Sequence, residues 1–402
     1  MRAALLFCLF MMSVPALAEP VEITHRFGIT RIDAPPQRIV SVGYHEQDFL
    51  YALGLAPVGV HEWFGARAFA TWIWADDARK AVGAAPQVQR GFEIDLEWVW
   101  QLQPDLIVAS FAPMDAATYA QLSRIAPVVG PPEGFPDWGA PWQEELRLIA
   151  RATGRDDRAE TVIADVDAVL ADTRAQYPAF DGASVAVAHV AGTKLVGYGP
   201  ADGANRFLAD LGFEIPAEFE TLANAAGNFS VSLERIDLFE RDLALWLADT
   251  AGRELIEALP AYQASALAQA GRSVWADEDE TGAMSFQTPL SIPWAAQRLA
   301  PKFQTRIARG KSGLTPAIRA VGCAHPGHSQ ASADLFISIS RMTHAPLDRT
   351  RDDTFPRPPF PPQIAERHSG RLHRHMLGRA GRAIGTGAGG RADGAAIDPV
   401  AL

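Results

Sequence analysis

The chain has 402 residues, 48% of them hydrophobic, a formal net charge of −11 and two cysteines, Cys8 and Cys323. A chain of this length can bury a large core without disulfides. Residues 19–305 carry 21 Lys and Arg against 40 Asp and Glu, a balance of −19, which excludes nucleic acid and anionic membrane surfaces as natural partners.

Residues 1–18 combine Arg2, an apolar run from Leu5 to Val14 and a closing Ala16-Leu17-Ala18, the small-x-small pattern of a signal peptidase site. The run is too short to anchor in a bilayer, and Cys8 sits inside it without the small residues of a lipid attachment site. The expectation is export to the periplasm with cleavage after Ala18. No later segment is long and apolar enough to span a membrane, and beyond Cys8 the next thiol is Cys323.

Residues 19–143 read as an α/β lobe. RIVSVG (38–43) is a buried strand, 47–53 a helix stopped by Gly54, and 57–61 a second strand. An aromatic-rich loop follows, then a helix and the strand 106–110, a helix over 119–125 and a strand over 128–130. Residues 144–178 form a linker: an amphipathic helix over 142–152 broken at Gly154, then DRAETVIADVDAVLADTRAQY (157–177). In that stretch Ala159, Val162, Ile163, Val166, Val169, Leu170 and Thr173 recur at helical spacing. Asp157 with Glu160 imitates a capping box, and Pro178 marks the stop. About 21 residues at ~1.5 Å each make a rod of roughly 30 Å.

Residues 179–304 read as a second α/β lobe, with strands at 184–189 and 193–197, a helix over 205–211, further helices near 254–259 and 293–299, and a strand at 273–276. The two lobes echo each other. FEIDLEWVWQLQPDLIV (92–108) aligns without gaps on FSVSLERIDLFERDLAL (229–245), with identities at Phe92/Phe229, Leu96/Leu233, Glu97/Glu234, Asp105/Asp242 and Leu106/Leu243. Each copy reads as a short helix, a polar turn and a buried strand. The fold class is therefore α/β, two lobes with mainly parallel sheets joined by one long helix. Residues 305–402 change character, with 14 Lys and Arg after Thr305 against 7 Asp and Glu, and are rich in Pro and Gly. This composition reads as a disordered tail, compatible with an out-of-frame extension of a body ending near Gln304.

Catalytic signatures are missing: no G-x-S-x-G elbow, no Walker loop and no H-E-x-x-H. Gly197-Tyr198-Gly199 with Gly203 ahead of a helix faintly suggests an anion site but reads more simply as a turn. His45 with Glu46 and His61 with Glu62 are the features that would matter for a metal; no metal site is assigned. Tyr44, Trp63, Phe64, Trp72 and Trp74 follow strand ends, where open α/β sheets bind ligands, and Phe229, Trp275 and Phe286 face them from the second lobe. Arg67 and Arg90 are the basic groups suited to ligand oxygens. The expected ligand-binding set is thus Tyr44, Trp63, Phe64, Arg67, Trp72, Arg90, Phe229, Trp275 and Phe286. Glu97 and Glu234, at matching places in the repeat, suit docking on basic pockets of a two-fold symmetric partner.

Together, the leader, RIVSVG with LYALGLAPVGV, the two repeat segments and GAMSFQTPLSIPWAAQRLAP resemble periplasmic ferric-siderophore-binding proteins of ABC importers, over about residues 22–304. The resemblance implies two α/β lobes on a rigid helix and no resident cofactor. It implies a ferric siderophore as ligand, a permease dimer as partner and a monomeric receptor. The family's docking glutamates fall on Glu97 and Glu234, its ligand arginine near Arg90, and its ligand-touching aromatics loosely on Trp63 and Trp275. The acidic run at 277–280 departs from the pattern and, with the −19 body, favours a neutral hydroxamate or weakly charged carboxylate chelate over a catecholate. Cobalamin, haem or a bare metal ion on the same architecture is the alternative, and an exported enzyme is a more distant one.

Overall fold

The computed structural model describes residues 20–224 and 227–312. The leader, and the tail beyond residue 312, lie outside them. The described chain opens with a hairpin that the sequence reading did not include. Strand β1 (Val21–His25) pairs antiparallel with β2 (Gly28–Ile32), burying Ile23 and Ile32.

The first lobe follows as an alternation of strands and helices. In order they are β3 (Ile39–Ser41), α1 (Glu46–Ala52), β4 (Gly59–His61), α2 (Asp76–Ala81), β5 (Gln87–Gln89), α3 (Leu96–Gln101), β6 (Leu106–Val108), α4 (Ala116–Leu122) and β7 (Val128–Val129). The five strands form one parallel sheet in the order β5-β4-β3-β6-β7. Its central strands β3, β4 and β6 are buried throughout, as parallel strands usually are, whereas the edge strand β5 is polar (Gln87–Gln89). The carboxyl ends of β3, β4 and β6 deliver Tyr44, His45, Trp63 and Phe111 to one edge.

Helix α5 (Trp142–Thr153) ends at Gly154, and α6 (Asp156–Gln176) is the rod, 21 residues long. Its buried face is Ala159, Val162, Ile163, Val166, Leu170 and Thr173, with Val169 only half-buried. The capping box does not form. Glu160 instead takes the Arg147 guanidinium of α5 at 2.8 and 3.2 Å, which ties the two helices side by side.

The second lobe contains β8 (Val185–Ala191), β9 (Lys194–Tyr198), α7 (Gly203–Asp210), α8 (Glu218–Leu222), β10 (Asn228–Ser232) and β11 (Leu243–Trp246). Then come α9 (Thr250–Ala258), α10 (Pro260–Ala264), α11 (Ala266–Gln269), β12 (Ser273–Trp275), α12 (Glu278–Phe286) and α13 (Ser291–Ser312). The strand order β10-β9-β8-β11-β12 repeats that of the first lobe, but only β8, β11 and β12 pair in parallel. Gly192 at φ 58° opens a two-residue turn that folds β9 back on β8, so this sheet is mixed.

The internal repeat is structural. Asp105 accepts from the backbone N–H groups of Gln37 and Arg38 at 2.7 and 2.8 Å, where the chain enters β3. Asp242 accepts from Ser184 N–H at 2.9 Å, where it enters β8. Asp95 caps Glu97 N–H at 3.0 Å, and Ser232 does the same for Glu234 N–H at 3.3 Å. The copies diverge between these bonds: the first holds an α-helix, the second only a 3₁₀ turn over Ile236–Phe239. The last helix also runs further than its sequence suggests. It continues past Gln304 to Ser312 and buries Phe303 and Ile307, so the body does not end at residue 304. The largest apolar cluster passes from the first lobe through α5, α6 and α13 into the second, so the lobes share a core.

Candidate ligand-binding cleft

A cleft of about 470 Å³ separates the lobes. Trp63, Phe111 and Trp138 line it from the first lobe, and Tyr198, Arg206 and Phe286 from the second. The aromatic wall is a stack. Tyr44 lies nearly parallel to Trp63 at 5.7 Å and to Trp138 at 5.8 Å, and its hydroxyl donates to the Phe92 carbonyl at 3.1 Å. Phe111 meets Trp138 edge-on at 4.6 Å, and Phe286 reaches across to Trp63 at 5.6 Å. Such a wall suits a bulky, partly apolar guest.

Beneath it lies a layer of buried titratable groups. His45 Nδ1 faces the Phe286 carbonyl at 2.7 Å and therefore carries a proton; its Nε2 faces Glu145 at 3.1 Å, and Glu145 also accepts from Ser110 Oγ at 2.9 Å. Burial alone would lower the His45 pKa, but the charge and hydrogen bond of Glu145, with Glu46 nearby, outweigh it and raise the pKa above its ordinary value. Glu46 is wholly buried, its carboxylate accepting from Phe111 N–H at 2.8 Å and from His45 N–H at 3.2 Å. Burial pushes it up to about 7. The missing side chain of Gly43 makes this possible, because a Cβ there would fall 1.8 Å from Glu46 Oε1. Asp48, also buried, is pushed up to about 6 and accepts from Trp74 Nε1 and Thr288 Oγ1, both at 2.7 Å.

Several of these bonds cross between the lobes: His45 to the Phe286 carbonyl, Thr288 to Asp48, and Arg67 to Asp279 and Glu278 at 2.9 and 3.1 Å. Arg206 on α7 adds another, donating to the Gly139 and Ala140 carbonyls at 3.3 and 3.0 Å and to that of Ala201. Burial lowers its pKa, opposed by Asp202, Glu145 and Asp210. Asp202 caps α7 by accepting from Ala204 N–H at 2.8 Å, so the helix end that the glycine spacing marked already has its anion.

Of the residues expected to touch ligand, Trp63 and Phe286 line the cleft and Tyr44 backs its wall. Phe64 packs on Phe286 at 5.9 Å, and Trp72 is buried against Trp74 at 5.1 Å. Arg67 lies over Trp72 and is engaged by the acidic run. Arg90 pairs with Glu62 at 2.8 Å and does not border the cleft. Phe229 and Trp275 belong to the second lobe's own core: Phe229 covers Gly197 and packs on Phe219 and Phe239, while Trp275 stacks on Trp246 at 5.7 Å beneath Arg253. The acidic run is taken up within the protein. Asp277 and Glu280 close a capping box on α12, and Glu280 also holds Lys302 at 2.6 Å. Sequence reasoning missed Phe111, Trp138, Arg206 and the pairing of His45 with Glu145; the advance signals were His45 itself and the GYGPADG stretch, which borders the cleft through Tyr198 and Gly203. Glu97 and Glu234 are both exposed. His61 is committed to the Val42 and Gly91 carbonyls at 2.9 and 2.6 Å, and among the described residues no group of three or more His, Cys, Asp or Glu is placed to hold a metal ion. Among them, too, no helix is long and apolar enough to cross a membrane.

The model of the family described as "Periplasmic binding protein" matches residues 39–278. The chain belongs to that family. A periplasmic solute binding protein from Mycobacterium smegmatis superposes with a TM-score of 0.65 at 30% identity, over 72% of this chain and 99% of that one. Streptococcus pneumoniae PiaA, solved in complex with ferrichrome, gives 0.63 at 20% identity over 72% and 99%, a likeness of fold. The "Probable siderophore-binding lipoprotein YfiY" of Bacillus subtilis is 31% identical over 155 residues, 38% of this chain and 44% of that one. This chain thus matches less than half the length of such curated relatives. Membership in a family of binding proteins sets aside the exported-enzyme reading.

Proposed function

We propose that the protein is the soluble, monomeric receptor of an ABC iron importer, exported to the periplasm with cleavage after Ala18. It captures a ferric siderophore between its lobes and presents it to an inner-membrane permease dimer through Glu97 and Glu234. The observation that carries this reading is the aromatic-walled cleft between two lobes of repeated topology. The names of the relatives, which print siderophore binding for YfiY and ferrichrome for PiaA, support it. Among the described residues Arg206 is the one guanidinium on the cleft wall, and it stands among Asp202, Asp210 and Glu145. That balance favours a neutral hydroxamate or weakly charged carboxylate chelate and opposes a tris-catecholate, whose charge would meet three carboxylates beside a single guanidinium.

Tryptophan-fluorescence titration of the purified protein tests the ligand class. Ferrichrome, ferrioxamine B, ferric citrate, a ferric tris-catecholate, cobalamin and haem serve as probes. Saturable quenching by a hydroxamate or citrate complex, with the catecholate at least tenfold weaker, is expected. Binding of cobalamin or haem with no response to any iron chelate refutes the reading.

A further inference from the structure

The two lobes present unequal faces around their matching glutamates. On α3, Trp100 follows Glu97 by three residues and so shares its face of the helix. Its side chain is 66% exposed, more than any other large apolar residue described. Gln101 donates to Glu97 Oε1 at 3.3 Å, holding the carboxylate beside the ring. The offset of the repeat that places Glu97 on Glu234 places Trp100 on Asp237. There Arg235 clasps Asp237 through two bonds of 2.9 and 3.0 Å, so the neighbour of Glu234 is an ion pair already neutralised. An exposed tryptophan costs solubility and is the residue type most enriched among interface anchors.

We infer that the first lobe docks on its half of the permease by burying Trp100 beside Glu97, while the second lobe docks through Glu234 alone, so the lobes are not interchangeable on the transporter. This rests on the docking role proposed above. The occupant is one permease half bearing a cation next to an apolar depression. Glu97, one turn before the ring, and Glu93, in the loop ahead of α3, are both exposed, which calls for a basic surface. A guanidinium reaching Glu97 can lie along the indole face. A second copy of this chain fits worse, since an isologous contact would set these carboxylates against themselves.

The test places the photo-crosslinker benzoylphenylalanine at Glu93 of the full-length protein in iron-starved cells that make it natively, and quantifies adducts identified by mass. An adduct with an importer permease is expected, lowered at least tenfold by Trp100→Ala, partly restored by Trp100→Phe, and abolished by Glu97→Arg with Glu234→Arg. Ligand titrations of the same variants stay unchanged. A Trp100→Ala yield equal to wild type, with loss on charge reversal, overturns the inference and leaves the docking role standing. No permease adduct, or one indifferent to charge reversal, removes the docking role and the inference with it. Adducts between two copies of the chain overturn the inference as well.

Discussion

Replacing Glu46 with Gln probes the buried layer beneath the cleft. The carboxyl is wholly buried, and burial moves its pKa from 4.5 to about 7. In the unfolded chain the same group titrates near its ordinary value. The folded state therefore holds the proton more tightly, and between those two values unfolding releases it. Stability falls as pH rises through that window, and the loss is complete above the folded value. A shift from 4.5 to about 7, at ~1.36 kcal/mol per unit, is worth about 3 kcal/mol. The amide of the Glu46→Gln variant is neutral throughout and escapes this loss. Its own hydrogen-bonding mismatch with Phe111 N–H and His45 N–H is a constant offset, whereas the difference between variant and wild type changes with pH. Urea unfolding at half-unit steps from pH 4 to 8.5 should show the Glu46→Gln variant gaining about 3 kcal/mol on wild type between the ends. His45 and Glu145 face the same carboxyl and are present in both proteins, so most of their contribution cancels in the difference. A difference that stays flat across the range refutes the argument.

Three further outcomes follow from the same contacts. Trp63→Ala should weaken binding of the chelate that quenches the wild type by at least about tenfold, whereas Arg90→Ala, which only frees Glu62, should leave it within about twofold by the same titration. Thr288→Val strips a donor from buried Asp48 and an acceptor from Ser291 N–H; it should cost about 1–3 kcal/mol in urea unfolding. Because Asp48 is charged only above about 6, that cost should be larger at pH 8 than at pH 5. Gly43→Ala collides with the Glu46 carboxylate and should lower stability by about 1–3 kcal/mol in the same assay.

The elements were largely legible because their cues are local. The periodic face before Pro178 placed the rod to within a residue at each end, and Gly54 and Gly154 marked helix ends correctly. Local cues failed where a distant side chain decides. Glu160 looks like a capping residue until Arg147, on a neighbouring helix, claims it. Arg67 looks like a ligand-binding cation until Asp279, 212 residues away, neutralises it. Phe229 and Trp275 sit at strand ends like cleft residues, yet their rings find partners within their own lobe. Conversely, Trp138 and Arg206 reach the cleft from a loop and an ordinary helix face, where no spacing announces them. The repeat was the most informative long-range signal, since its aspartates and capping residues make the same bonds in both halves.

If the protein serves the importer proposed above, the bonds that cross between the lobes near the cleft, together with the core they share, bear on traffic through it. Such a receptor, stitched along its floor by His45, Asp48 and Arg67, would have little room to breathe, and its empty and loaded forms would then present nearly the same silhouette. Whatever distinguishes them to a membrane complex must then be fine-grained, such as the guest's own surface at the mouth of the gap or a slight change in the angle between the two glutamates. An empty receptor would compete for the same landing site, and import would depend on how much of the pool is loaded.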